Sequence, residues 1–340
     1  MKVFITGGAG FIGCNLADTH LRRGHGVVIF DNLSRKGTDG NLAWLREQHG
    51  DRLTFVQGDI RDFDTLRAAL PPDAEQVYHM AGQVAVTTSV SNPREDFDIN
   101  ALGTFNVLEA VRNAAPQAVL FYASTNKVYG GLEAASVVEN ETRYRYRDHP
   151  YGISEDQPLD FHSPYGCSKG SGDQYVRDYA RIYGLRTVVM RQSCIYGTRQ
   201  LGVEDQGWVA HFCIAARLRR PITIYGNGKQ VRDVLWIDDL IAAYDTAAAR
   251  IDVAAGQIYN MGGGPDNTLS IWSEFRPILE KLAGHPIPVT YADWRPGDQL
   301  VYISDIRKAE RDLGWRPQVS MPQGVERLWR WIDANPELFR

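Results

Sequence analysis

The sequence has little of what marks a secreted, membrane-bound or nucleic-acid-binding protein. It has only four cysteines, and none of them forms a C-x-x-C pair or stands at metal-ligand spacing from a histidine. It has no run of about 18 apolar residues, which is the length that a membrane-spanning helix needs. Acidic and basic residues nearly balance, at 41 and 37, and leave no excess of positive charge for nucleic acid or an anionic membrane.

These absences predict a protein of the reducing cytoplasm. Thiols without a disulfide framework are typical of that compartment, and the thiols here are Cys14, Cys167, Cys194 and Cys213. A predicted first strand from Lys2 leaves no room for a signal peptide. We therefore expect a cytoplasmic protein with free thiols and no bound metal, with neither nucleic acid nor a membrane as its partner.

The chain does contain a regular alternation of strand and helix patterns in its first two hundred residues. Short apolar runs predict strands over 2–6, 27–31, 53–56, 76–80, 119–123 and 187–191. Helical patterns and end signals predict helices over 11–23, 38–48, 62–70, 92–113 and 164–183. This alternation is typical of βαβ units and predicts an α/β fold, a doubly wound parallel sheet of the Rossmann type.

The composition changes after residue 195, where glycine, proline, tryptophan and arginine become frequent. Residues 1–195 are predicted to form the sheet domain, and residues 196–340 mainly a smaller lobe. Asp233–Trp236 and Ile258–Met261 still have strand patterns, and we expect both to return to the main sheet. The second lobe is therefore expected to be interleaved with the first.

A glycine-rich turn follows the first predicted strand. Gly7, Gly10 and Gly13 have the spacing G-x-x-G-x-x-G, and a helical pattern begins at once. Such a turn brings backbone N–H groups and a helix N-terminus against a pyrophosphate. Asp31 ends the second strand, where a carboxylate can hydrogen-bond an adenosine ribose and would repel a 2′-phosphate. The combination predicts a dinucleotide site that favours NAD over NADP.

A tyrosine and a lysine stand four residues apart in a later predicted helix. This spacing places Tyr165 and Lys169 on one helical face. Because a nearby ammonium favours the phenolate, the tyrosine can exchange a proton with an alcohol or a ketone. A hydroxyl that holds the reacting oxygen is expected where the 119–123 strand ends, and both Ser124 and Thr125 are candidates.

Together these motifs resemble the extended short-chain dehydrogenase/reductase family, in its nucleotide-sugar epimerase and dehydratase branch. The resemblance covers essentially the whole chain. Further motifs that carry it are Gly58-Asp59-Ile60, His79-Met80-Ala81-Gly82, Asn100 through Asn106, Gln192 through Gly197, Gly226-Asn227-Gly228 with Arg232-Asp233, and Arg295-Pro296-Gly297-Asp298. The family implies a tightly held NAD and a nucleotide-diphosphate sugar as substrate.

The resemblance also implies a set of site residues. The catalytic residues are Tyr165, Lys169 and Thr125, with Ser124 in reserve as the positioning hydroxyl. The implied cofactor-binding residues are Gly7, Gly10, Phe11, Ile12, Gly13, Asp31, Asn32, Ser34, Arg35, Asp59, Ile60, Ala81, Gly82, Gln83, Asn100, Tyr165, Lys169 and Ile195. The implied substrate-binding residues are Thr88, Thr125, Asn126, Gln192, Ser193, Gln206, Arg232 and Arg295.

Two departures from the family's patterns narrow the reaction. Its sugar dehydratases carry two acids directly after the catalytic threonine, whereas Asn126 and Lys127 follow Thr125 here, so dehydration lacks its acid and base. Its UDP-sugar 4-epimerases usually have a shorter connection between the hydroxyl and the tyrosine. The longer connection here includes an insert around 143–160, which either shapes the sugar pocket or forms a surface flap.

The resemblance is strongest to family members that epimerise a CDP-hexose at C2, and this is the reaction that we expect. A C4 epimerase of a UDP-sugar and a C2 epimerase of CDP-glucose or a GDP-hexose are alternatives, because the same residues serve each reaction. Two further alternatives are a net dehydrogenase and a non-catalytic NAD-binding regulator. The family also implies a homodimer or homotetramer, with the helices near 97–113 and 165–183 as candidate interface elements.

Overall fold

The computed structural model describes residues 1–295 and 298–339. Its strands are β1 (Lys2–Thr6), β2 (Gly26–Asp31), β3 (Leu53–Gln57), β4 (Gln76–His79), β5 (Val119–Thr125), β6 (Val137–Glu139), β7 (Tyr144–Tyr146), β8 (Arg186–Gln192), β9 (Ile195–Tyr196), β10 (Ile222–Tyr225), β11 (Val231–Asp233), β12 (Leu235–Trp236), β13 (Ile258–Met261), β14 (Thr268–Ser270), β15 (Val289–Ala292) and β16 (Val301–Tyr302).

The helices alternate with the strands in the first two hundred residues. They are α1 (Phe11–Arg22), α2 (Thr38–His49), α3 (Phe63–Ala69), α4 (Val86–Ser91), α5 (Pro93–Phe97), α6 (Gly103–Ala114), α7 (Ser163–Tyr183), α8 (Trp208–Arg217), α9 (Ile237–Ala249), α10 (Ile251–Ala254), α11 (Phe275–Ala283), α12 (Arg307–Leu313) and α13 (Met321–Ala334). A π-helical turn, Asp98–Leu102, joins α5 to α6, and 3₁₀ turns cover Gly50–Arg52, Asn126–Tyr129 and Pro336–Phe339. No helix among the described residues is long and apolar enough to cross a membrane.

A seven-stranded sheet organises the first part of the chain. Its strand order is β13-β8-β5-β4-β1-β2-β3. Strand β1 pairs in parallel with both β2 and β4, and the pairs β2–β3 and β4–β5 are also parallel. The order reverses between β1 and β4, and in such sheets ligands bind at the carboxyl ends of the strands beside that reversal. The predicted doubly wound parallel sheet is confirmed.

Both faces of this sheet are covered, which explains why its strands are apolar at consecutive positions. Val3, Phe4 and Ile5 of β1 are all buried, and neighbouring side chains along a strand point to opposite faces. Phe4 belongs to a cluster with residues of α3, α6 and α7. On the other face, Tyr244 of α9 packs edge-on against Tyr78 of β4 and Phe121 of β5.

The described chain divides into two units. Unit 1 consists of Met1–Val128, Ser163–Arg191 and Ile241–Tyr259, and unit 2 consists of Tyr129–His162, Gln192–Leu240 and Asn260–Arg340. The sequence predicted that the later residues return to the first domain. It did not predict that 129–162, which include the insert, belong with unit 2.

One predicted return to the main sheet is corrected by the structure. Asp233–Trp236 was expected in the seven-stranded sheet, but β11 pairs with β14 and β16, and β12 pairs with β9. Val234 lies between β11 and β12. Its backbone N–H donates to the carbonyl of Asn267, which continues the antiparallel pairing of β11 with β14 by one residue. The place beside β8 in the main sheet is taken by β13.

Candidate active site

The glycine-rich turn after β1 has a backbone that larger residues could not adopt. Gly7 has a φ of +67°, and a Cβ at this position would lie 2.5 Å from the backbone nitrogen of Ala81. A Cβ on Gly13 would lie 2.3 Å from the carbonyl oxygen of Gly7. Gly10 precedes α1 and has no side chain that could cap the helix. The N–H groups of Phe11, Ile12 and Gly13, in the first turn, can therefore donate to a ligand's oxygens. This cradle fits a diphosphate.

The carboxylate of Asp31 lies directly beside this turn. Its Oδ2 accepts a hydrogen bond from the N–H of Ala9 at 3.0 Å, and its Oδ1 accepts one from Leu33 at 2.8 Å. Burial raises the pKa of Asp31, although these two hydrogen bonds act in the opposite direction. Each oxygen keeps a lone pair for another donor, as the two hydroxyls of a ribose require.

A second polar group lies after β3, within the same unit. Arg61 forms a two-pronged ion pair with Asp59 and lowers the pKa of that carboxyl to about 2. The side-chain amide of Asn32 also donates to Asp59, at 2.9 Å. Ser34 and Arg35 follow in an exposed segment, and the neighbouring Ile60 is buried. The structure thus joins the predicted cofactor residues after β2 to those after β3.

The turn after β4 is fixed by Asn100. The side-chain oxygen of Asn100 accepts from the N–H of Gln83 at 3.1 Å, and its amide donates to the carbonyl of Gln83 at 2.9 Å. Asn100 lies in the π-helical turn, where the sequence predicted an uninterrupted helix over 92–113. This π-helical turn separates α5 from α6. Through the two hydrogen bonds of Asn100 it fixes the position of Gln83 in the turn after β4.

Tyr165 and Lys169 lie one turn apart near the start of α7, and both side chains are buried. The backbone N–H of Tyr165 donates to the hydroxyl oxygen of Ser89 at 3.1 Å, which ties this end of α7 to α4. Burial raises the pKa of Tyr165 to about 12, and a hydrogen bond with Thr125 acts against this rise. Burial also lowers the pKa of Lys169 to about 7.

The two candidate hydroxyls at the end of β5 have different surroundings. The hydroxyl of Thr125 lies close enough to Tyr165 to lower its pKa; it donates to Oδ1 of Asn126 at 3.3 Å and accepts from the N–H of Lys127 at 3.2 Å. The hydroxyl of Ser124 instead donates to Oδ2 of Asp173 at 2.7 Å. Adjacent residues of a strand point to opposite faces, so only one of the two can reach the tyrosine.

Sequence reasoning missed a buried ion pair behind the catalytic helix. Arg191 of β8 binds Asp173 of α7 through Nε and Nη2, each at 2.9 Å, and the two side chains are 2% and 0% exposed. Asp173 is one turn beyond Lys169, and this spacing was the one signal available in the sequence. Its pairing with Arg191 depends on how α7 packs against the sheet.

The remaining predicted residues fall into two groups. Thr88 is exposed in α4, and Asn126 is buried beside Thr125, both in unit 1. Those in unit 2 are Gln192, Ser193, Ile195, Gln206, Arg232 and Arg295. The hydroxyl of Ser193 donates to the buried Asp233 at 2.6 Å.

The two predicted phosphate-binding arginines of unit 2 both have acidic partners. Nη2 of Arg232 donates to Asp298 at 2.6 Å. The guanidinium of Arg295 lies 3.2 Å from Asp205, and its Cζ stands 3.8 Å from the ring centre of Tyr225. Of the predicted motif that begins at Arg295, Pro296 and Gly297 lie outside the described residues.

The insert is attached to unit 2 by specific contacts. Its strand β7 pairs antiparallel with β6, which precedes the insert, and the Tyr146 hydroxyl donates to the carbonyl of Val301 at 2.7 Å. Arg143 forms a two-pronged ion pair with Glu274. Both Tyr144 and Tyr146 are buried. These contacts make the insert an integral part of unit 2. A surface flap would not have been expected to form them.

Comparison with known proteins places these features in a class. A family model described as GDP-mannose 4,6 dehydratase matches residues 4–328. The chain belongs to this family, in the nucleotide-sugar epimerase and dehydratase branch of the extended short-chain dehydrogenases/reductases.

Individual relatives are similar over nearly their whole lengths. The chain is 48% identical to the CDP-paratose 2-epimerase of Salmonella typhi, over 98% of this chain and 100% of that protein. The crystal structure of a UDP-glucose 4-epimerase from Thermotoga maritima with UDP-glucose has a TM-score of 0.84 at 28% identity, over 99% of this chain and 100% of that one. A dTDP-glucose 4,6-dehydratase of Streptomyces venezuelae with NAD bound also has a TM-score of 0.84, at 29% identity, over 100% and 99%.

Proposed function

We propose that this chain is an NAD-dependent epimerase that inverts C2 of a CDP-hexose and converts CDP-paratose into CDP-tyvelose, for lipopolysaccharide O-antigen synthesis. The observation that carries the proposal is that Tyr165, Lys169 and Thr125 are all buried within the unit that also holds the glycine-rich turn. The absence of acids at 126 and 127 favours epimerisation over dehydration. The similarity to the Salmonella typhi epimerase supports the choice of CDP and of C2.

Each catalytic side chain has a distinct task in this proposal. NAD, when bound, supplies a reversible acceptor for the hydride of the sugar. Tyr165 as phenolate takes the proton of the C2 hydroxyl and returns it at the end of the cycle, with Thr125 holding the reacting oxygen. The ammonium of Lys169 favours the phenolate. Inversion follows when the 2-keto sugar presents its other face, and the cycle leaves no net NADH.

The arginines of unit 2 are proposed to hold the diphosphate while the sugar turns. Arg232 and Arg295 can each form charge-assisted hydrogen bonds with phosphate oxygens. In the structure Arg232 binds Asp298 and Arg295 binds Asp205, and a diphosphate would replace these carboxylate partners. The guanidiniums therefore remain paired both before and after binding, and no cation is left buried alone.

A proton NMR assay of the purified protein with CDP-paratose and no added NAD tests the function. Appearance of the C2-inverted sugar without net NADH is the expected result. If CDP-paratose is unchanged while NAD is released on denaturation, a panel of UDP-, CDP- and GDP-hexoses identifies the sugar and the carbon. Stoichiometric NADH would instead identify a net dehydrogenase, and bound NAD without turnover of any sugar a non-catalytic protein.

The two adjacent hydroxyls provide a matched pair of variants. Because Thr125 is the hydroxyl at Tyr165, we expect Thr125→Ala to lower kcat about 10²–10³-fold, as is typical for loss of a hydrogen bond at a reacting oxygen. Ser124→Ala should keep most activity and lose about 1 kcal/mol of stability, because it removes a donor to Asp173. Turnover by NMR and urea unfolding measure both effects. A larger loss of kcat for Ser124→Ala would reverse the assignment.

We also propose that the chain forms a homodimer or homotetramer through an apolar face on α5–α6 and α7. Its exposed members are Phe97, Phe105, Tyr175 and Ile182. Other apolar residues of the same helices, Val107, Leu108, Val111 and Tyr179, are buried in unit 1 and serve its core. Phe105 and Tyr175 also contact each other edge-on, and exposed apolar residues that cluster in this way mark interaction sites.

Charged substitutions in this face should change the oligomeric state. We expect Phe105→Glu combined with Ile182→Glu to shift the protein to a monomer, measured by light scattering after gel filtration. Val253→Glu, at a similarly exposed apolar residue of α10, is the matched control and should leave the oligomer intact. A wild-type protein that is already monomeric would overturn the proposed interface.

A further inference from the structure

A buried carboxylate that has no task in the proposed reaction lies close to the catalytic pair. Asp96, in α5, has 0% of its surface exposed. Its Oδ1 accepts a hydrogen bond from the amide of Asn100 at 3.0 Å, and the hydroxyl of Ser168 also hydrogen-bonds the carboxylate. Its Oδ2 has no hydrogen-bond partner among the described residues. Burying such a group is costly unless a positive charge stands nearby.

The hydrogen-bond partners of Asp96 lead to Lys169 along two routes. Ser168 directly precedes Lys169 in α7. On the second route, Asn100 faces Gly82, where a Cβ would lie 2.9 Å from the Asn100 side-chain oxygen and 3.9 Å from Nζ of Lys169. The ammonium of Lys169 and the carboxylate of Asp96 therefore belong to one buried cluster, and their charges attract each other there.

The other groups that face Lys169 do not replace this negative charge. Nζ stands 4.2 Å from the ring centre of Tyr122, and His79 is kept neutral because burial lowers its pKa to about 3. Tyr165 is the group whose phenolate the ammonium of Lys169 favours. The carboxylate of Asp173 attracts the ammonium more strongly than Asp96 does, but Asp173 is also bound by Arg191 and Ser124, whereas Asp96 is not shared with an arginine among the described residues. Within the described chain, Asp96 has no arginine or lysine of its own in an ion pair.

We propose that Asp96 is a positioning residue whose negative charge keeps Lys169 in its ammonium form, and through it keeps Tyr165 active as a base. It acts through Lys169 and does not touch the sugar. The inference rests on the proposed function in so far as Tyr165 and Lys169 are the catalytic pair. It adds a third charged group, on a different helix, to the pair that the family pattern identifies.

The sign of the effect follows from the two charges that Asp96 faces. A carboxylate favours the charged form of Lys169 and disfavours the phenolate of Tyr165. Removing its charge therefore lowers the pKa of both groups. Activity that needs the ammonium is then lost at a lower pH on the alkaline side, while the onset of activity on the acid side also moves to lower pH.

The variant Asp96→Asn removes the charge and keeps the size and an oxygen that can accept from Asn100. We expect the titration midpoint of Lys169 to fall by about one pH unit, the lower end of the shift that a neighbouring charge produces. The alkaline limb of the kcat profile should fall by the same amount, which lowers kcat about tenfold on that side while KM stays within about twofold. Asp98→Asn, which removes a surface carboxylate paired with Arg94, is the matched control and should change neither.

Two readouts are needed, both on the enzyme with its retained cofactor. The first is NMR titration of ¹³C-labelled lysine side chains, with the Lys169 signal assigned through Lys169→Met. The second is the pH profile of kcat and KM. If wild type turns over no sugar, the proposed function fails, while the NMR shift still tests the charge effect. If Asp96→Asn is poorly folded, Asp96→Ser serves as the second neutral variant.

The outcomes separate a charge effect from a structural one. A shifted Lys169 midpoint with a matching shift in the kcat profile supports the inference. An unchanged midpoint overturns it, whether or not activity falls. A uniform loss of kcat at every pH, with both limbs in place, would assign Asp96 a purely structural role and also overturns it.

Discussion

Tyr165→Phe should abolish epimerisation while the protein keeps its cofactor. The variant loses only the hydroxyl that exchanges the sugar's proton, and loss of a general acid–base group costs about 10²–10⁴-fold in rate. The ring itself is buried, so phenylalanine preserves the packing at the start of α7. Turnover by NMR and quantification of released NAD measure the two properties separately.

A tyrosine elsewhere on the same helix provides the control. Tyr183→Phe removes a hydroxyl at the exposed end of α7 and should leave turnover unchanged. Near-normal turnover in Tyr165→Phe would refute its role as the base. Loss of NAD together with turnover would instead show that the Tyr165 hydroxyl is needed to bind the dinucleotide.

The surroundings of Tyr165 and Lys169 predict how activity depends on pH. Burial raises the pKa of Tyr165 to about 12 and lowers that of Lys169 to about 7. The phenolate is the minor form at neutral pH in these surroundings, and the positive nicotinamide ring of bound NAD would favour it. When bound NAD brings the pKa of Tyr165 below that of Lys169, activity should rise with pH as the phenolate forms and fall where Lys169 loses its proton.

Asp173→Ala should strongly destabilise the fold while it leaves the glycine-rich turn intact. It leaves Arg191 buried without its counter-ion, since the two side chains are 0% and 2% exposed. Breaking a buried pair from one side costs about 3–5 kcal/mol. It also removes the acceptor of the Ser124 hydroxyl. Equilibrium urea unfolding measures the loss as a change in the free energy of unfolding.

A chemically similar pair at the surface supplies the control for burial. Arg23 binds Asp245 through two hydrogen bonds of 2.7 and 2.6 Å, but both side chains are partly exposed. Asp245→Ala should cost less than about 1 kcal/mol, because water solvates the arginine that remains. Equal losses for Asp173→Ala and Asp245→Ala would mean that burial does not decide the strength of the inner pair.

The structure agrees best with the sequence where the chemistry is local. The Gly7–Gly13 turn, the strand before it and Asp31 lie within thirty-one residues, and their geometry depends on spacing and on positive φ at Gly7. Tyr165 and Lys169 share a face because any helix places residues four apart together. The prediction for Asp233–Trp236 was wrong because its strand pattern does not say which partner a strand will have.

The sequence by itself determined the class of fold, the dinucleotide turn and the tyrosine–lysine pair, because each depends on periods and spacings within a short segment. Only the tertiary structure decided that Ser124 is bound to Asp173, that Asp173 is neutralised by Arg191, and that Asp96 lies buried near Lys169. Those contacts join β5, α5 and β8 to α7. Their partners are far apart in the chain, and only the packing of α7 on the sheet brings them together.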